Sequence, residues 1–330
     1  MKLQQLKYLL AIEDNNLSIS KAAEKIFTSQ PGISKQLRLL EEELDCQIFN
    51  RNGKQLVGVT PLGREIIIRA RNIIQEVNNI KRLSGDKSIT SEDTTISLAT
   101  TQTQANYVLP SVFTQFHKVY KNLKFEIEQG STEQIIELLS KDKVDFSIIS
   151  GNLSLPSDII KIPCFQWHRL IIFPLNHPLG DLKEITLQDL AKYPLITYNM
   201  NSKQNSTLMT AAKNENIELN ILFTAQDADV IKTYVRNNMG VGIIASMAFE
   251  PKIDNDLIGY STKDLLPRST TWLIFKKGTF IPSYMKDFIQ IFAPHVSHEV
   301  INRYLNEDID IKVFGIESDE QLPMHKMWDI

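Results

Sequence analysis

Residues 17–44, LSISKAAEKIFTSQPGISKQLRLLEEEL, restrict the fold more tightly than any other stretch. They read as two short helices joined by a tight turn. Ser18 can cap the first, and Ile19, Ala22, Ala23 and Ile26 recur at helical spacing on one face. The small Ala22–Ala23 pair lets a second helix cross closely over it. Phe27 to Gly32 breaks the pattern, with Ser29 as N-cap and Pro31 in the first turn, where its missing N–H is harmless. Ile33, Leu37, Leu40 and Leu44 then share one face of the second helix, leaving Gln30, Ser34, Lys35 and Arg38 on the other. That outward row suits a helix in a DNA major groove. Arg and Lys donate to guanine, Gln bonds adenine, and Ser29, Ser34 and the N–H groups at the helix start hold phosphate. A helical hairpin with a solvated polar face has the same periodicity, so spacing alone leaves both readings open.

Downstream, QIFNRNGKQLVGVT (47–60) reads as strand, turn and strand, with Asn52-Gly53 suited to the positive φ of a tight hairpin. Arg51 and Lys54 flank its tip, either as a DNA-touching wing or as an exposed basic hairpin. Thr60-Pro61 then opens a long helix ending near Ser84-Gly85. Ile66, Ala70, Ile73, Val77 and Ile80 alternate along it by four and three, a heptad seam. The seam could pack on its own domain or pair with a second copy. Pairing is the expectation, because the helix has no sheet of its own to cover.

Composition narrows the class. No apolar run approaches membrane-spanning length, and MKLQQLKYLLAIEDNN lacks the apolar core and cleavage site of a signal peptide, so a cytoplasmic, membrane-free protein is expected. The net charge of −3 hides an asymmetry: residues 1–82 carry 13 Lys and Arg against 9 Asp and Glu, the remainder 23 against 30. A basic end on an acidic body fits one nucleic-acid-contacting module, whose binding should weaken with salt. The two cysteines, Cys46 and Cys164, lack metal spacing and make no disulfide framework.

Beyond a polar linker at 86–93, strands and helices alternate, as in α/β architecture. The first strand ends in Thr100-Thr101-Gln102-Thr103-Gln104 before a helix, a run that offers hydroxyl and amide donors to an anion or simply caps that helix. Thr224 to Asp229 is the matching turn later on, with Asp227 as N-cap and Gln226 within reach of a ligand. One large sheet or two subdomains would both accommodate these strands.

The stretch SKAAEKIFTSQPGISKQLRLLEEELDCQIFNRNGKQLVGVTPLG resembles the winged helix-turn-helix of the LysR-type transcriptional regulators. ATTQTQANYVLP, DADVIKTYV, GVGIIASMA and SYMKDFIQIFAPH are similar to the sulfur-assimilation activators within that family, the CysB type. The resemblance implies an α/β fold in which a winged helix-turn-helix (1–60) and a dimerising linker helix (61–85) lead through a hinge (86–93) to two Rossmann-like subdomains of periplasmic-binding-protein type. The first would hold 94–163 and 269–295, the second 164–268, and a C-terminal tail would fill 296–330. It further implies promoter DNA and RNA polymerase as partners, self-association to a dimer or homotetramer, and no cofactor, metal or enzyme activity. An acetylserine-type inducer, with sulfate or thiosulfate as counter-ligand, would sit between the subdomains. Thr101, Thr103 and Gln104 fall on anion-contacting positions, beside Thr100, and Trp167 on a cleft tryptophan. Ser150 stands where these activators usually carry Thr. The loop NMNSKQNS (199–206) departs from the usual pattern, placing Lys203 at a ligand-contacting threonine with Ser202 beside it.

Two further motifs lack the context that their chemistry needs. Gly240 to Ala245 spells a dinucleotide fingerprint, but a helix precedes it and an apolar strand follows. Cys164 with His168 could form a nucleophile and base, yet no orienting third group is evident. A ligand carrier with the same α/β fold, or an enzyme working in the cleft, are the alternatives from other classes.

Overall fold

The computed structural model describes residues 1–53, 55–86, 95–151, 155–199, 207–263, 265–306 and 321–325. Lys54, Ser202, Lys203, most of the 86–93 linker and much of the tail lie outside them. The chain divides into two compact units, one built on Met1–Ser91 (with the short segments Ser140–Lys143 and Thr279–Pro282 grouped with it) and one on the rest. Among the described residues no helix is long and apolar enough to cross a membrane.

The first unit runs α1 (Leu3–Asp14), α2 (Ile19–Lys25), α3 (Gln30–Glu43), β1 (Phe49–Asn52), β2 (Gln55–Val59) and α4 (Pro61–Asp86). Ser18 and Ser29 cap α2 and α3, accepting from the backbone N–H of Lys21 at 3.3 Å and of Gly32 at 3.2 Å. Ala22, Ala23, Ile33, Leu37 and Leu40 close a core with Leu6, Leu9, Ile12 and Phe49. Leu44 does not join it. Asp45 turns to φ +48°, which ends α3 at Glu43 and leaves Leu44 exposed.

Glu41 is the buried residue at that end of the helix. Its Oε1 accepts from the N–H groups of Ile48 at 2.9 Å and Phe49 at 3.4 Å, while Oε2 pairs with Arg51 Nη2 at 2.5 Å. One carboxylate thus pins the start of the hairpin to α3. The hairpin itself turns one residue later than the Asn-Gly reading: Asn52 still pairs with Gln55, and Gly53 takes φ +61°.

α4 also departs from expectation. Ile66 and Ala70 pack into the core of their own unit, with Ile67 and Ile74. Arg71 pairs with Glu13 and, at 2.5 Å, with Asp14 at the end of α1. The first half of the helix therefore covers α1, and only farther on does the seam open, with Ile73 and Ile80 exposed.

The second unit contains β3 (Thr95–Thr100), α5 (Gln102–Tyr107), α6 (Leu109–Val119), β4 (Lys124–Gln129), α7 (Thr132–Ser140), β5 (Phe146–Ser150), β6 (Ile159–Trp167), β7 (Arg169–Pro174), α8 (Leu187–Leu190), β8 (Leu195–Tyr198) and α9 (Thr207–Asn214). It continues with β9 (Ile221–Ala225), α10 (Ala228–Arg236), β10 (Val241–Ala245), β11 (Leu257–Ser261), β12 (Ser269–Lys276), α11 (Ser283–Phe292) and α12 (His298–Asn306). These build two five-stranded mixed sheets, β4-β3-β5-β12-β6 and β11-β7-β10-β8-β9. In the first, β3 is parallel to β4 and β5, whereas β12 is antiparallel to β5 and β6.

The chain leaves the first sheet at His168 rather than at residue 164. β6 stays paired with β12 as far as Trp167, opposite Ser269. Pro163 sits in β6 without breaking it, because β6 is an edge strand and the register shifts at the residues opposite. In the second sheet, a Cβ on Gly242 would lie 2.6 Å from Ile172 and 2.8 Å from Val235, so that glycine serves close packing of α10 on a buried strand, not a nucleotide loop. Of the tail, residues 321–325 bridge to the open edge of β6: Gln166 N–H donates to the Pro323 carbonyl at 2.9 Å, and the Gln166 carbonyl accepts from His325 N–H at 2.8 Å.

Replacing Glu41 with Ala should cost about 1–3 kcal/mol, because it strands two buried N–H donors and a guanidinium. Denaturant unfolding followed by hydrogen exchange of the Ile48 and Phe49 amides measures both the loss and its place.

Candidate functional site

Two surfaces carry the sequence-expected residues, one in each unit. In the first, Ser29, Gln30, Pro31, Lys35 and Arg38 are exposed and Ser34 is half-buried, all away from the face that Ile33, Leu37 and Leu40 bury. Arg38 pairs with Glu42 at 3.2 Å, but both side chains are largely solvated, so a phosphate or base can displace the carboxylate at little cost. Arg51 is different: its guanidinium is committed to the nearly buried Glu41, which makes it a strut of the hairpin rather than a free cation at its tip.

The second surface is a cavity of about 1440 Å³ between the two sheets of the second unit. One wall follows the carboxyl ends of β3, β4 and β5, supplying Thr101 to Gln104, Gln129 to Gln134, Ser150 and Gly151. The other follows β8, β9 and β10, supplying Thr197, Tyr198, Asn199, Gln226 and Ala245. Trp167, Arg169, Lys263 and the stretch Leu266 to Thr270 line the side where the chain crosses between sheets. Ligands collect at carboxyl strand ends in such folds. Thr100 is not in the cavity; it is fully buried in β3, with its hydroxyl donating to the Ile148 carbonyl at 3.1 Å.

A hydrogen-bond hub orders the first wall. Thr271, fully buried in β12, accepts from Gln104 Nε2 and Trp167 Nε1, each at 3.1 Å. Thr271 Oγ1 also shares a hydrogen bond with Ser150 Oγ, 3.0 Å away. Ser150 Oγ lies 3.1 Å from Gln104 Nε2 as well, so Gln104, Ser150, Thr271 and Trp167 form one connected network in the cavity wall. The sequence pattern gave no hint of Thr271, because a hydroxyl inside a buried strand has no periodicity of its own.

Arg169 is the second omission. Its guanidinium stacks over the Trp167 ring at 5.3 Å, and Nη1 donates to Ser269 Oγ at 3.2 Å. Burial disfavours its charge, which proximity to Tyr198 offsets in part. Among the described residues no carboxylate pairs with it. Lys263 and Arg268 add charge to the same side, and together with burial they push the His168 pKa down. Against these three cations, Glu133 is the one carboxylate among the described residues that line the cavity. The arrangement attracts an anion and offers it neutral donors. Cys164, by contrast, is fully buried and its thiol pKa is raised by burial, so it is no nucleophile.

Opposite walls also touch. Gln102 Nε2 donates to Asp227 Oδ2 at 2.7 Å, while Asp227 Oδ1 caps α10 by accepting from Asp229 N–H at 2.9 Å. Tyr107 donates to Asp229, which also pairs with Lys232 at 3.0 Å. Asp227 therefore serves both the cap and a tie across the cleft.

Comparison with known proteins fits this geometry. The profile of the bacterial regulatory helix-turn-helix protein, lysR family, matches residues 3–64, and that of the LysR substrate binding domain matches residues 90–297. The chain is similar to the HTH-type transcriptional regulator CysB of Haemophilus influenzae, at 43% identity covering 92% of this chain and 93% of that protein. It is also similar to the HTH-type transcriptional regulator cbl of Escherichia coli, at 34% identity covering 95% and 100%. Among solved structures, the cofactor-binding domain of the Cbl transcriptional regulator aligns with TM-score 0.61 and 33% identity, covering 65% of this chain and 94% of that one.

Substituting Arg169 with Gln should weaken binding of sulfate or a small carboxylate at least tenfold, the loss of one charge-assisted hydrogen bond of about 1.5–3 kcal/mol. Calorimetric titration of the purified chain reads this directly, and its thermal unfolding should be little changed.

Proposed function

The chain belongs to the LysR family of transcriptional regulators, and on that footing we propose that it activates sulfur-assimilation and cysteine-biosynthesis genes in answer to a small anionic inducer. Regulators of this family bind promoter DNA and small-molecule effectors and form multimers; they are not enzymes. The observation that carries the finer reading is the cavity: three cations, the Ser150 hydroxyl and the Thr101–Gln104 donors surround a space of about 1440 Å³. An acetylserine-type molecule fits that chemistry, with a carboxylate for Arg169 and acyl or hydroxyl oxygens for Ser150 and Thr103. Sulfate or thiosulfate would compete for the same donors. Trp167 and Gln226 bound the space, and Ser202 and Lys203, which the resemblance aligns with ligand-contacting positions, lie outside the described residues.

On the DNA side, Gln30, Ser34, Lys35 and Arg38 read or position the duplex, with Ser29 and Pro31 at the leading end of the helix and Lys54 in the wing that Arg51 braces through Glu41. Two copies pair through the exposed length of α4 around Ile73, Val77 and Ile80, presenting two reading helices to a two-fold site. Further association to a tetramer, contact with RNA polymerase and a cytoplasmic setting complete the reading. The inducer acts by favouring one arrangement of the two sheets, a coupling of typically ~1–3 kcal/mol.

Binding to promoter fragments of sulfur-source genes, followed by fluorescence anisotropy with N-acetylserine, O-acetylserine or sulfate present, tests the proposal. Affinity should fall with salt and change with at least one of these ligands. Equal affinity for a scrambled fragment would contradict it. Arg38→Ala should cost ~1–3 kcal/mol of site affinity and leave ligand titrations unchanged, whereas a mere ligand carrier would show no DNA effect to lose.

A further inference from the structure

α5 belongs to the first sheet by sequence and to the second by contact. It follows β3 directly, and its first residues line the cavity. Three of its six residues nevertheless bond to the far side: Gln102 to Asp227, Gln104 Nε2 to Met247 Sδ at 3.6 Å, and Tyr107 to Asp229. Tyr107 also packs against the core cluster that Ile172, Ile196, Ile231 and Val235 share in the second sheet, and Lys232 Nζ lies 5.2 Å from its ring centre. The break that permits this crossing falls at Val108-Leu109-Pro110. α5 ends at Tyr107, and Pro110 in the first turn of α6 has no N–H to offer the Asn106 carbonyl, so the two helices need not share an axis. α6 stays with the first sheet, where it buries Leu109, Val112 and Phe116 and sets Phe116 edge-on to Phe125 of β4 and Phe288 of α11.

The Tyr107 hydroxyl is the atom to explain. Phenylalanine would give the second core the same ring, whereas the phenol adds a bond to a carboxylate that Lys232 already pairs at 3.0 Å. Burial works against the charge on Asp229, yet the Tyr107 and Lys232 donors hold its pKa below the ordinary carboxylate value, so the bond is charge-assisted. We infer that Tyr107 is a positioning residue for the effector: it keeps the Thr101–Gln104 turn docked across the cleft, and the affinity of the cleft for a small anion depends on that docking. The inference rests on the effector-binding reading above and adds to it a residue that lies outside the cavity lining.

Tyr107→Phe removes the bond, keeps the ring and leaves Asp229 paired with Lys232. In the full-length variant the amides of Ala105 and Val108, which bond to the Thr101 and Gln104 carbonyls, should exchange hydrogen roughly tenfold faster, as for the loss of one bond to a charged group. The Tyr120 amide at the end of α6 should exchange as before. Whichever of sulfate and N-acetylserine the wild type binds in calorimetric titration should bind the variant more weakly, by roughly threefold or more, because only the docked fraction takes the ligand. In an Asp229→Ala background the same substitution should change neither readout further, since the partner of the hydroxyl is already gone. A variant whose α5 amides exchange faster but which binds the anion as wild type does would give the hydroxyl a purely structural role and overturn the inference. Unchanged exchange would overturn the tether itself, with the effector reading intact. A wild type that binds neither anion would instead remove that reading, and the positioning role with it.

Discussion

The cleft depends on one ladder. β6 and β12 run antiparallel from the Ile159–Lys276 pair to the Trp167–Ser269 pair, so the outgoing and returning chain are held side by side where they leave the first sheet. Only His168 separates β6 from β7, so the second sheet begins directly at that paired exit. Arg169 and Ser269 are bonded across it, and Trp167 is held by Thr271. The Arg169 guanidinium, which lines the cavity, therefore sits where the chain crosses between the sheets.

Hydroxyls, amides and guanidinium groups line the cavity, with Gln104, Ser150, Thr271 and Trp167 joined in one hydrogen-bonded hub. Among the described residues that line it Glu133 is the one carboxylate, and Cys164 is fully buried with its thiol pKa raised by burial. Ties between Gln102 and Asp227, and between Tyr107 and Asp229, cross the cleft without a ligand. A ligand shifts the arrangement of the sheets only to the extent that it binds one arrangement better than another.

The helix-turn-helix was legible because its signals are local: Ser18 and Ser29 cap, and Ile33, Leu37 and Leu40 repeat, within a few residues of what they touch. Glu41 was not, since a carboxylate in an acidic run looks solvated until the amides of Ile48 and Phe49 fold back onto it. The same bond accounts for Arg51, read as a wing cation and found as a strut. In α4 the heptad rule fitted two uses, and the helix divides between them: Ile66 and Ala70 serve the core, Ile73 and Ile80 stay exposed. β6 was hidden by Pro163, whose presence argues against a strand unless the strand is known to be an edge. Thr101, Thr103, Gln104, Ser150, Trp167 and Gln226 all line the cavity, although likeness to relatives rather than spacing pointed to most of them. Arg169 and Thr271 depend on strands far apart in sequence, and only a tertiary structure brings them together.

On the function proposed, an anion in this crevice and a promoter on α3 are energetically linked. Linkage is reciprocal: whatever factor the ligand imposes on DNA affinity, DNA must impose on ligand affinity. The direct measurement is a calorimetric titration of the full chain with its inducing anion, free and then saturated with promoter DNA at one ionic strength. The ligand dissociation constant should shift by roughly five-fold or more between the two. Identical constants, with both partners demonstrably bound, would contradict it.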